Sequence, residues 1–415
     1  MLTERIIYSS SLPWTFNVAS ASGSHILDPQ GRKILDFTSG WNVVNLGWNP
    51  PALIETAIAQ LRRNAYASVW TGDAARTSFA EALTEALPGP LKAIGRATGG
   101  TEANEEAIKT ARAYTRRYDI LGLWPTYHGQ SLATLAVGSA PATMTDLGQL
   151  AAGVIQLRFP AGSGDESEGE LLESFLRQVD EALRTETVAA VITEAGLVSG
   201  TGSTLVAPSG YLKALREATT RYGTLLVLDE VGTGFSRCGR LFAMEREGVV
   251  PDIVTLGKAI TNGISPMGAM VTTREIAEAT GELTELTSTF GWTPVGCATA
   301  LECLRIHQRD RVWELAEAKG RRLVRALRSG LGGNAVATVR GVGMELGIRF
   351  NDGVRSVTGT SVADSVVARA LADGLHVVGD RDRNIQLMPP LTIEDEAMDR
   401  GVEILLRAIQ AVVVH

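Results

Sequence analysis

Leu225-Leu226-Val227-Leu228-Asp229-Glu230 and Asp252-Ile253-Val254-Thr255-Leu256-Gly257-Lys258 decide how this chain is read. Each is a short apolar run that ends in charged residues. A run of that length bounded by polar groups suits a strand buried on both faces. Similar runs occur at 188–193 and 269–272, and helical patterns stand between them, as at 171–183 and Tyr211–Tyr222. Strand and helix in alternation predict an α/β fold, with a mostly parallel sheet covered by helices on both sides. In such sheets the ends of the strands are where functional groups are presented.

Working outward, Pro50-Pro51 opens a helix that carries Leu53, Ile54, Ala57, Ile58 and Leu61 on one face. Phe79, Leu83 and Leu87 mark a second helix, and residues 101–117 a third. After about residue 300 the pattern changes. Helices at 298–306 and 312–327 precede strands at 336–339 and 344–350. A helix at 362–371, short strands near His376 and Ile385, and a last helix from about Glu394 complete it. This order predicts a smaller α+β domain. The expected division is 1–49 as an N-terminal segment joining the small domain, 50–297 as the large domain and 298–415 as the small one. The polar, Gly-rich stretch 161–170 reads as a surface loop.

Of 415 residues, 45% are apolar and 20% charged, as in ordinary globular chains, and 46 acids against 39 bases give a net charge of -7. No basic stripe offers a footprint for nucleic acid. No apolar stretch reaches the ~20 residues that span a bilayer. Cys238, Cys297 and Cys303 lack metal-ligand spacing and fit a reduced compartment, and the five histidines do not pair at helical spacing. The expectations are a cytoplasmic protein without a leader, a metal, a nucleic-acid partner or a membrane partner.

The chemistry begins at Gly99-Gly100-Thr101-Glu102-Ala103-Asn104-Glu105, two glycines opening a helix. The backbone can approach a ligand there, and free N–H groups with the Thr101 hydroxyl favour an anion. Taken singly, this segment is also a glycine turn with Thr101 as N-cap. Asp229 could likewise be a solvated strand end, and Lys258 a surface lysine. Together they supply what pyridoxal 5′-phosphate (PLP) requires: a cradle for the phosphate, a carboxylate for the pyridine nitrogen and an amine for the aldehyde.

With these residues in hand, the chain resembles the class III (omega-type) PLP-dependent aminotransferases of fold type I. The likeness runs from Leu35-Asp36-Phe37-Thr38-Ser39-Gly40 to Leu387-Met388-Pro389-Pro390-Leu391, and is densest between Val191 and Gly268. It implies a large domain built on a seven-stranded, mostly parallel sheet. It implies that Lys258 carries PLP as a Schiff base, Asp229 pairs with the ring nitrogen, and Gly100 and Thr101 hold the phosphate. Tyr127 would stack on the ring beside His128, Val231 would pack on the other face, and Glu194 would stand near cofactor and substrate. Thr289 would reach the phosphate of a neighbouring subunit's cofactor, which implies a homodimer with shared active sites.

The chain departs from that family where relatives carry an arginine just before Leu-x-Pro-Pro-Leu to hold a substrate carboxylate; here the residue is Gln386. Arg381 or Arg383 could substitute, or could be surface charge in a turn. Trp41, Trp48, Trp70 and Trp292 are candidate pocket walls, with Trp41, Trp292, Gln386 and Arg381 expected at the substrate. The implied reaction moves an amino group from an amine or amino-acid donor to an aldehyde or ketone, one lacking an α-carboxylate, by ping-pong chemistry. A decarboxylase, racemase or aminomutase on the same fold is the alternative. A nucleotide-binding dehydrogenase finds only Gly341-Val342-Gly343 as an echo of its glycine motif, ahead of a strand rather than a helix.

Overall fold

The computed structural model describes residues 16–138, 151–162, 167–333 and 336–414. Its centre is a seven-stranded sheet of β1 (Leu91–Ala97), β2 (Asp119–Trp124), β3 (Val154–Arg158), β4 (Val188–Glu194), β5 (Leu225–Asp229), β6 (Ile253–Leu256) and β7 (Gly268–Thr273). Their order across the sheet is β1-β7-β6-β5-β4-β2-β3. β7 runs antiparallel to both its neighbours, and the other pairs are parallel. β4, β5 and β6 are buried at every residue, which is why their sequences are unbroken apolar runs. Register sets Asp229 beside Glu194 on one side and beside Thr255 on the other.

Helix Gly100–Thr115 crosses one face, pressing Ala103, Ala107 and Ala111 on Ile120, Ile192 and Val227. The small alanines bring the helix axis, and hence its N-terminus, close to the strand ends. The other face is covered by helices Ala74–Ala86, Glu168–Leu183, Tyr211–Tyr222 and Pro294–Arg309, whose Phe79, Phe175, Leu215 and Leu304 meet Val191, Leu226 and Val254. The sequence reading found four of the seven strands. β1, β2 and β3 escaped because lysine, arginine, glutamine or glycine interrupts their apolar pattern.

A second, four-stranded antiparallel sheet joins Ala337–Val342, Glu345–Phe350, Asn384–Leu387 and Val378–Gly379. Helices Val312–Gly330, Val362–Ala372 and Asp395–Val412 enclose its core. Lys33–Asp36 pairs in parallel with Leu375–His376, and the Phe37 ring lies against Gly401, where any side chain would collide with it. Helix Pro294–Arg309 spans residue 298 and packs on helices Pro51–Arg63 and Ala74–Ala86. One expectation needs correction. The expected loop at 161–170 is in part helix. Ser167 and Glu170 form a reciprocal cap that starts Glu168–Leu183, and residues 163–166 lie outside the described residues.

Among the described residues no helix is long and apolar enough to cross a membrane, and no cluster of His, Cys, Asp and Glu could hold a metal ion.

Candidate active site

A cavity of about 420 Å³ opens where the ends of β4, β5 and β6 meet the second sheet. Trp41, Tyr127, Gln130, Gly200, Thr201, Lys258 and Gly379-Asp380-Arg381 line it. Lys258 follows β6 through Gly257 and adopts a left-handed backbone, φ 46°, uncommon for a residue with a side chain. Its amine is half-buried at the cavity. Burial pulls its pKa below the usual lysine value, while Glu194, Asp229 and Glu345 pull the other way. An amine so placed is more readily neutral, hence nucleophilic and basic.

Asp229 ends β5 fully enclosed by donors. Its Oδ1 accepts Val231 N–H at 2.8 Å, and its Oδ2 accepts Asn104 Nδ2 at 2.8 Å and His128 Nδ1 at 2.7 Å. The carboxylate fixes the proton on Nδ1 of His128, whose Nε2 stands 3.0 Å from Thr126 Oγ1. Asn104 also donates to His128 O at 2.8 Å and accepts the Thr255 hydroxyl at 2.6 Å, so one amide ties helix, β5 and β6 together. Glu194, one strand over, accepts Ser199 N and Oγ at 2.8 and 2.7 Å and faces Tyr127 N–H at 3.3 Å. Burial, then the charge of Asp229, push its pKa up.

The glycine turn has the form of an anion cradle. Gly99 is extended, and helix Gly100–Thr115 follows, its first N–H groups free of helical partners. A Cβ on Gly100 would lie 2.7 Å from Val231 Cγ1, and one on Gly129 (φ 142°) 2.5 Å from Thr101 Oγ1. The hollow therefore exists only because those side chains are absent. Cradle, enclosed carboxylate and cavity-facing amine converge in one place, and this donor set fits PLP. Gly100 and Thr101 would hold the phosphate, Asp229 the ring nitrogen and Lys258 the aldehyde. Tyr127 is 40% exposed and packs on Gly200 at the cavity wall.

Other expected site residues lie elsewhere. Trp292 is core rather than pocket: its indole N–H donates to Gly268 O at 2.8 Å and its ring packs on Phe79. Gln386 is fully buried and does not line the cavity; its amide donates to Ser199 O and Glu345 Oε1, each at 2.6 Å. Trp48 is held by Asp36 at 2.8 Å, and Trp70 is almost fully exposed. Arg383 donates to Asn351 O and Val354 O at 2.8 and 3.2 Å, whereas Arg381 lines the cavity. Thr289 is exposed, away from the cavity lining, with its carbonyl accepting Tyr66 OH at 3.3 Å. The sequence reading assigned no role to Asn104, Ser199, Thr255 or Glu345. Asn104 could have been singled out, because it follows Thr101 by one helical turn and so shares its face.

The family model for class III aminotransferases matches residues 7–409. The 5-aminovalerate aminotransferase of Pseudomonas putida is 30% identical over 94% of this chain and 92% of its own. The acetylornithine aminotransferase of Haemophilus ducreyi is 32% identical over 94% and 93%, and the putrescine aminotransferase of Pectobacterium atrosepticum 32% over 92% and 79%. An (S)-enantioselective omega-transaminase from Thermomicrobium roseum superposes with a TM-score of 0.88 at 32% identity, covering 95% of this chain and 92% of that one. A PLP-bound amine transaminase from an uncultivated Pseudomonas species gives 0.90 at 29%, covering 99% of both. The site geometry and these likenesses converge, and the chain belongs to the class III aminotransferases, PLP-dependent enzymes that pass an amino group from a donor to a carbonyl acceptor.

Proposed function

We propose that at least one of the two carbonyl–amine pairs this aminotransferase interconverts lacks an α-carboxylate. The observation that carries the reading is Gln386. Where relatives are expected to place a guanidinium, this chain has a buried neutral amide whose N–H groups are both committed to protein acceptors. The similarity to an enzyme named for putrescine, a diamine with no carboxylate, supports it. Arg381, at the cavity wall, is suited to a charge farther along the substrate.

Bound PLP supplies an aldehyde to take the amino group and a ring that draws off electrons as the C–H bond breaks. Asp229 would keep the ring nitrogen protonated and is itself held by Asn104, His128 and Val231 N–H. Lys258 Nζ, depressed by burial, withdraws the proton from the amine-bearing carbon and returns it. Tyr127 and Val231 would confine the ring from its two faces. Thr289, exposed on the segment beside Tyr66 and Phe290, would complete the phosphate site of a second subunit. We therefore take the working form to be a homodimer in the cytoplasm, with the N-terminal segment joining the small domain; residues 1–15 of that segment lie outside the described residues.

The test is a panel of donors and acceptors followed through the cofactor spectrum. Donor alone should convert the cofactor to its amine form, and acceptor should reverse it; release of carbon dioxide or racemised donor instead would favour the decarboxylase or racemase alternative. Strong preference for α-amino and α-keto acids in both half-reactions would overturn the substrate reading.

A further inference from the structure

Glu345 sits on the second sheet, fully buried, and its two oxygens bond Asn42 and Gln386, which connect in turn to residues next to the lining of the substrate cavity. Oε2 accepts Asn42 Nδ2 at 2.7 Å, and Asn42 follows Trp41 in a left-handed run at 39–42, φ 48° to 70°. Oε1 accepts Gln386 Nε2 at 2.6 Å and Thr204 Oγ1 at 3.3 Å. The same Gln386 nitrogen donates to Ser199 O, next to Gly200 and Thr201 of the wall. Gln386 therefore has no N–H left to offer, and its Oε1 is buried without a partner among the described residues. Bonding to two acceptors fixes which end of the amide is nitrogen.

Behind the lining on this side stand an unpartnered amide oxygen and a carboxyl group, neither of them part of the cavity surface. Buried Arg237 favours the ionised form of Glu345 but makes no direct bond to it. Its bonds go to Met344 O, Pro389 O, Ser39 Oγ and Asn45 Oδ1, and among the described residues it forms no ion pair. Glu345 is also within electrostatic reach of Lys258, where the substrate reacts. A carboxylate on the reacting carbon, held beside Lys258, would stand on the side of the cavity from which this negative charge acts, and like charges brought together away from water are costly.

We propose that Glu345 is a specificity-determining residue, one that acts from behind the Trp41 and Ser199–Thr201 walls to disfavour substrates bearing a carboxylate on the reacting carbon. It rests on the substrate reading above and names the group that enforces it. Burial pushes the Glu345 pKa up to about 7, so the charge is in place at about pH 8.5.

The experiment uses the PLP-loaded enzyme at that pH and a matched pair of donors, propylamine and α-aminobutyrate, which differ only by the α-carboxylate. The rate of the donor half-reaction is read from the cofactor spectrum in single turnover. The native enzyme should favour propylamine. Glu345→Gln should shift the ratio toward α-aminobutyrate by about tenfold or more, the scale of one buried charge contact. Glu345→Asp, which keeps the charge, should hold the ratio near the native value even if both rates fall. An unchanged cofactor spectrum in the variants confirms that the site is assembled. If Glu345→Gln slows both donors equally, Glu345 is only structural and the proposal fails. If the native enzyme itself favours α-aminobutyrate, the proposal fails as well; the same preference for α-keto acids in the acceptor half-reaction would be needed to overturn the substrate reading.

Discussion

Replacing Asn104 by alanine should loosen the active site from beneath, without touching a group that contacts substrate. Three bonds disappear together: to Asp229 Oδ2 and His128 O, each 2.8 Å, and from Thr255 Oγ1, 2.6 Å. All three partners are buried. A buried polar group stripped of its partner costs about 1–3 kcal/mol, less where the group can turn to another acceptor, as the Thr255 hydroxyl can. A net loss of about 3 kcal/mol is expected. With about 2.1 cal/mol/K of unfolding entropy per residue, that lowers the melting midpoint of a 415-residue chain by about 3 °C. Asp229 keeps His128 and Val231 N–H but loses the donor that ties it to the helix, so turnover should fall about tenfold. The assays are a thermal scan without cofactor and steady-state turnover with it. A variant that melts within 1 °C of the native chain (about one kcal/mol or less by the same conversion) and turns over within about twofold would refute the view that Asn104 joins β5, β6 and the helix.

Lys258→Ala should abolish steady turnover and the absorbance of lysine-bound cofactor; retained turnover would contradict the assignment of this amine. Arg381→Ala should raise KM for donors with a distal carboxylate while leaving propylamine unaffected; equal effects on both would remove Arg381 from the substrate's path. Glu106, on helix Gly100–Thr115 and facing Gly95, has a buried Oε2 with no hydrogen-bond partner among the described residues, and burial followed by Glu102 raises its pKa to about 8. The native form keeps its proton where the unfolded chain has lost it, so this group erodes stability as pH climbs from about 4.5 to about 8. Glu106→Gln should therefore raise the melting midpoint little at pH 4.5 and most above pH 8, and a pH-independent gain would contradict the shift. Trp292→Ala should destabilise by about 3–5 kcal/mol as a core deletion, with donor preference unchanged in folded enzyme; a changed preference would return Trp292 to the pocket.

The centre of the fold was legible because β4, β5 and β6 are buried on both faces and carry little but apolar side chains. Asp229 and Lys258 could be read because their chemistry sits at the ends of those runs. β1 and β3 were not, since an edge strand tolerates polar residues such as Lys92 and Gln156 that blur the pattern. Trp292 could not be assigned from its neighbours in sequence, since the Phe79 ring and the Gly268 carbonyl that bury it come from distant segments. Glu345 was invisible for the same reason: Asn42 is 303 residues away, and nothing local marks the pair.

Val231 presses its isopropyl group into two gaps at once, one over Gly100 and one over Gly257. Three loops far apart in sequence thereby behave as a single fitted part, since bulk gained on one must be surrendered on another. Attempts to reshape this pocket one position at a time will meet dead ends here. A larger side chain at 100 becomes admissible only in company with a smaller one at 231, and such paired exchanges are the route by which the cradle itself can be redesigned.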